Sequence, residues 1–196
     1  MAEDPNAVYV GSTGDIWTAP ENTAPPAAIA TAPASPWVMQ GFVSEDGVTI
    51  QPGTTVEDIR VWQSPFPVRN LITERTFQLT FALRQLDVNT VPFGFGGGEV
   101  VAGPPVEYDG PDPSTLDIRA LLLDVYDGDK HNRIYVARGM VTELAEVQFQ
   151  RGAAADLGIT FAALADSTGH VFKWFSDDPG WTALAETAAK SSKAAA

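Results

Sequence analysis

Residues 76–86, Thr-Phe-Gln-Leu-Thr-Phe-Ala-Leu-Arg-Gln-Leu, alternate in character with a period of two. Phe77, Leu79, Phe81 and Leu83 share one face of an extended chain, and Gln78, Thr80, Ala82 and Arg84 share the other. A helix would scatter the four large apolar side chains around its axis, whereas a strand gathers them on one side. A strand with one apolar face needs hydrogen-bonded neighbours and a second layer over that face. This segment therefore commits the chain to a β core.

Further segments repeat the signal. Leu116–Tyr126 runs into Asp127-Gly128-Asp129, a hairpin-turn sequence, and 133–138 returns from it. Residues 141–150 read as the next strand, and 157–165 and 170–175 as a hairpin around Asp166–Gly169. Near the start, Val8, Val10, Ile16 and Trp17 give 8–19 strand character. Residues 87–98 hold one short helical turn, capped by Asp87 or Asn89 and broken at the glycines 94 and 96–98. The expected fold is mainly β, an antiparallel β-sandwich or barrel with one short flanking helix, an extended N-terminal arm and a long inter-subunit loop.

Three regions follow from this reading. Residues 1–35 form an arm with one strand, and its Ala/Pro-rich stretch is barred from helix by Pro20, Pro25, Pro26 and Pro33. Residues 36–180 form the β-sandwich, and 181–196, rich in Ala, form a flexible tail. Within the body, 44–75 is the odd segment. It is apolar throughout, with Val56, Ile59, Val61, Trp62, Phe66, Val68, Leu71 and Ile72, yet Pro52, Pro65 and Pro67 interrupt it. We read it as a long insertion, too apolar for a solvent loop, that either folds over the core or buries itself against another copy of the protein, the second being the favoured reading.

Composition excludes several functions. With 25 acidic against 12 basic residues, the net charge of −13 disfavours wrapping nucleic acid or binding an anionic membrane surface. No cysteine is present, which removes disulfides, thiolate metal sites and Cys nucleophiles. With only His131 and His170, a multi-histidine metal site is not expected. The opening MAEDPNAVYV has no basic n-region and no apolar h-region, so no secretory leader is expected. No P-loop, Gly-x-Ser-x-Gly elbow or His-Glu-x-x-His occurs. Both histidines sit in hairpin turns and read as surface residues. Asp124, Asp127 and Asp129 could offer oxygens to Ca²⁺ but read as a solvated turn. No enzyme, metal or cofactor is expected. Trp37, Phe42 and Trp62 flank or occupy the odd insertion, and tryptophans of this kind serve as core or as interface anchors.

The order of short motifs is itself informative. Gly11-Ser-Thr-Gly-Asp-Ile-Trp-Thr-Ala-Pro20 precedes an Ala/Pro spacer and Gly41-Phe-Val-Ser-Glu-Asp-Gly-Val-Thr49. Asp58-Ile-Arg-Val-Trp-Gln63, Pro67-Val-Arg69, Phe93-Gly-Phe-Gly-Gly-Gly98, Leu123-Asp-Val-Tyr-Asp-Gly-Asp129 and Ala165-Asp-Ser-Thr-Gly169 follow. Across residues 8–175 this order resembles the major tail protein of long non-contractile-tailed bacteriophages. The resemblance implies a structural virion protein that assembles into stacked, commonly hexameric rings forming the tail tube. DNA would pass through without specific binding. The implied partners are other copies of itself and the tape-measure, tail-tip and tail-terminator proteins, with no membrane. The implied place is the virion tail, after synthesis in the host bacterial cytoplasm.

With that resemblance, candidate interface residues are Val56, Ile59, Val61, Trp62, Phe66 and Val68 in the insertion, and Tyr9, Ile16 and Trp17 in the arm. Candidate lumen-facing acids are Asp117, Asp124, Glu143 and Glu146, because an acidic bore repels phosphates. The rival readings are a monomeric β-sandwich binding carbohydrate through its tryptophans, or another virion component such as a decoration or tail-terminator protein.

Overall fold

A computed structural model describes residues 8–181 of the chain. The strands in chain order are β1 (Thr13–Pro20), β2 (Val38–Met39), β3 (Val43–Ile59), β4 (Arg69–Leu83), β5 (Glu99–Val101), β6 (Glu107–Asp109), β7 (Arg119–Asp127), β8 (Lys130–Leu144), β9 (Leu157–Leu164) and β10 (Lys173–Ser176). One helix, α1 (Thr90–Gly94), follows β4. Eight strands form one antiparallel sheet in the order β2-β1-β7-β8-β9-β4-β3, with β10 also paired to β8. β5 and β6 make a separate small ribbon.

The sheet curls on itself, so the inward side chains of strands far apart in its order meet in one core. Ile16 of β1, Leu121 and Leu123 of β7, Ile134 and Val136 of β8, and Ile159 of β9 all lie in it. Phe77, Leu79, Phe81 and Leu83 of β4 join them, as the alternation predicts. Helix α1 supplies Phe93, 1% exposed, which stacks near Phe81 and Phe161. Its cap is Asp87: the carboxylate accepts hydrogen bonds from the backbone N–H groups of Asn89 and Thr90 at 2.8 and 2.9 Å.

A second cluster lies on the outer face of the same sheet. Trp37 packs with Ala19, Ala120, Leu122, Tyr135 and Ala137. The Ala/Pro segment 21–37 therefore lies as a strap across β1, β7 and β8. It is tied there by Asn22 N–H to the Ala137 carbonyl at 2.8 Å, and by Tyr135 Oη to the Thr23 carbonyl at 3.0 Å. This strap explains why β8 is buried on both faces from His131 to Ala137.

The structure redraws three features read from the sequence. Residues 130–144 are one strand running through Gly139, where any Cβ would collide with the Phe161 ring. The turn at Asp166–Gly169 is present, but β9 and β10 do not pair with each other; both pair with β8. Residues 44–75 are a β-hairpin and not a loop. Pro52 is tolerated because β3 is the last strand of the sheet, where one ladder of backbone donors is not needed. The tail 181–196, beyond Trp181, lies outside the described residues.

Candidate interaction surface

The β3–β4 hairpin has two halves of different character. Its proximal half, Val48–Pro52 with Phe77–Phe81, belongs to the sheet. β9 reaches along β4 only from Gln78 to Leu83. Beyond that point, Gly53–Ile59 and Arg69–Thr76 pair only with each other. They form a two-stranded ribbon joined by a tip at 60–68. Such a ribbon is marginal in water unless a further layer covers it.

Nothing in the described chain covers it. Val56, Ile59, Val61, Val68, Leu71 and Ile72 are all exposed, Phe66 is 74% exposed and Trp62 is 99% exposed. A patch of this size and length on a monomer marks a surface meant for a partner. It also leaves long strand edges unpaired, which native proteins normally blunt. The candidate interface residues of the hairpin are thus brought together on one ribbon and its tip.

The arm candidates divide. Tyr9 is half-buried, its hydroxyl donating to the Val125 carbonyl at 2.6 Å. Trp17 is also half-buried, packed against the outer cluster. Ile16 has no exposure and sits in the core. It is not an interface residue, because β1 is a strand of the body and sends Ile16 inward. Trp37, weighed as an anchor, is core beneath the strap, whereas Phe42 is 75% exposed.

The lumen candidates divide too. Glu143 near the end of β8 and Glu146 just past it are exposed. Asp117 lies in the loop before β7, paired to Arg119 at 2.7 Å. Asp124 is fully buried under the strap and cannot face a bore. Its carboxylate accepts from Arg133 Nε at 2.6 Å and Nη2 at 2.9 Å, and Arg133 is itself 1% exposed. The guanidinium also donates to the Thr31 carbonyl at 3.1 Å, which pins the strap.

His131 belongs to the same buried cluster and is not a surface residue. Its Nε2 lies 3.1 Å from Asp124 Oδ1 without the alignment of a hydrogen bond, and its ring stacks on Tyr126. Asp15 faces Asp124 across the β1–β7 ladder. Burial first, and then the Asp124 charge, push the Asp15 carboxyl above its ordinary range. The sequence signal for this cluster was hidden, because its cover comes from the strap, about a hundred residues away in the chain. Asp124 is committed to Arg133, and Asp127 accepts from the Val10 N–H, so the three aspartates of this hairpin do not converge on an ion. Among the described residues, no group of three or more His, Asp or Glu is placed to hold a metal.

A β body that presents an uncovered apolar ribbon has the anatomy of a building block. Comparison with protein families agrees: the family described as phage tail tube protein matches residues 1–189. The chain belongs to this family. A comparison with curated proteins finds no match. Members of the phage tail tube family are structural components of the virion tail, and that is the role of this chain. The reading as a monomeric carbohydrate-binding module gives way to it.

Proposed function

We propose that copies of this tail tube protein close into rings, hexameric by the family resemblance, and that the rings stack into a hollow conduit for DNA ejection. The observation that carries this reading is the ribbon of residues 53–76, apolar and uncovered in the single chain. A head-to-tail contact that does not close on itself propagates a filament, and an exposed ribbon at one edge of the sheet suits such a contact. Interfaces of obligate assemblies bury more than about 2,000 Å². The ribbon and tip of each copy supply much of that area.

The net charge of −13 supports an acidic bore that repels the duplex, with Glu143 on β8 and Glu146 just past it as the exposed candidates. Tape-measure, tail-tip and tail-terminator proteins would then meet the tube along its bore and at its ends, after assembly in the host cytoplasm.

The test removes the ribbon at a register pair. Replacing residues 55–74 with Asn-Gly joins Thr54 directly to its partner Arg75 through a two-residue turn. The shortened protein should melt cooperatively, remain monomeric by light scattering and form no tubes. Tubes of normal diameter from the shortened protein would remove the ribbon from the assembly.

A further inference from the structure

The curled sheet does not close. Among the described residues, Thr13–Asp15 of β1 pair only with β7, and β3 at the other end of the sheet pairs only with β4. Between these two edges lies a cleft of about 710 Å³. Its apolar wall includes Val48, Ile50, Leu123, Val125, Ile134 and Trp174. Leu123 and Ile134 are core residues, so the cleft opens onto the core itself. Atoms lining such a gap lack packing partners on one side. Ser44, 5% exposed, is among the lining residues, and its buried hydroxyl has no hydrogen-bond partner among the described residues. Asp15, Glu45 and Asp46 are the charged residues of the lining, and no Lys or Arg joins them.

We propose that this cleft receives the hairpin tip of a second copy, with Trp62 inserted between β1 and β3. The inference rests on the tail tube reading and names the contact by which one copy holds the next. The tip has the complementary chemistry. Trp62 is 99% exposed, and its indole N–H needs an acceptor once buried, which the carboxylates among the lining residues Asp15, Glu45 and Asp46 offer. From Ile59 to Arg69 the tip carries Arg60 and Arg69 and no acid, opposite the acidic rim. Among the described residues, Arg60 makes a 3.7 Å surface pair with Asp58, a contact readily exchanged.

A chain cannot seat its own tip. The ribbon runs from Ile50, at the cleft, out to Ile59, roughly 30 Å of extended strand. Each copy therefore presents a tip at one place and a cleft at another. That heterologous pairing extends without closing on two chains.

The absence of native cysteine makes the test direct. Full-length protein carrying Glu45→Cys at the rim and Gln63→Cys at the tip is concentrated and oxidised. It is then analysed on non-reducing gels, with negative-stain electron microscopy of the same sample. The expected result is a ladder of linked chains that collapses under reductant and is missing from either single variant. Adding Trp62→Ala to the pair should cut the ladder at least tenfold with an unchanged melting temperature. Tubes without a ladder would overturn the docking assignment and leave the tail tube reading standing. Protein that neither assembles nor cross-links would overturn the docking assignment together with the proposed self-assembly into rings.

Discussion

Arg133→Met tests how the strap and the sheet are held together. Arg133 and Asp124 have 1% and 0% exposure, and the pair makes two charge-assisted hydrogen bonds at 2.6 and 2.9 Å. Methionine keeps much of the side chain's apolar stem but strands the Asp124 carboxylate in the protein interior. Breaking a buried pair from one side costs about 3–5 kcal/mol. The hydrogen bond to the Thr31 carbonyl adds about 1 kcal/mol when it is lost. Against a total stability of about 5–15 kcal/mol this is a large fraction. At a urea m-value of about 2 kcal/mol/M, the midpoint should fall by about 2–3 M without a change in m. The double variant Asp124→Leu/Arg133→Met removes both charges and should recover most of the loss, because an apolar replacement of a buried pair is about neutral. A single-variant loss below about 1 kcal/mol, or no recovery in the double, would refute the reasoning that this pair is a mutually dependent buried unit.

Three more outcomes follow from the same structure. The Asp15 carboxyl titrates above its ordinary 3.8 because burial and Asp124 disfavour its charge, so the folded state binds this proton more tightly than the unfolded chain does. Its contribution is therefore fully favourable below 3.8 and lost as pH rises through the raised value; Asp15→Asn should stabilise the protein at pH 7 and lose that advantage near pH 3, as denaturation curves at the two pH values would show. Gly139→Val drives a side chain into the Phe161 ring and should destabilise by about 1–3 kcal/mol or more, read by thermal unfolding. Glu143→Lys with Glu146→Lys should leave tubes intact by microscopy yet impair DNA delivery, and unchanged infectivity would take these residues out of the lumen.

Legibility in the sequence followed the range of the interaction. The alternation of Phe77, Leu79, Phe81 and Leu83 was readable because a half-buried strand writes its environment into its own residues. The turn at Asp127–Asp129 was readable for a local reason as well, with Gly128 at φ 59°. Asp124 departs from the sequence reading because it is buried with Arg133, which the strap of residues 21–37 pins, and His131 because it stacks on Tyr126 beside that pair; local sequence reveals neither. Ile16 was misplaced for a related reason: its face is fixed by the β1–β7 register, and a shift of one residue would have reversed it. The hairpin's apolar surplus was visible, but its prolines pointed to a loop. Only the position of β3 at the sheet edge shows why Pro52 fits within a strand.

The most direct measurement of the central claim is cryo-electron microscopy of the concentrated full-length protein. The account predicts hollow tubes of stacked rings in which residues 53–76 of every copy are buried against neighbouring copies. Particles in which that ribbon stays in solvent, or a sample that remains single chains, would contradict it.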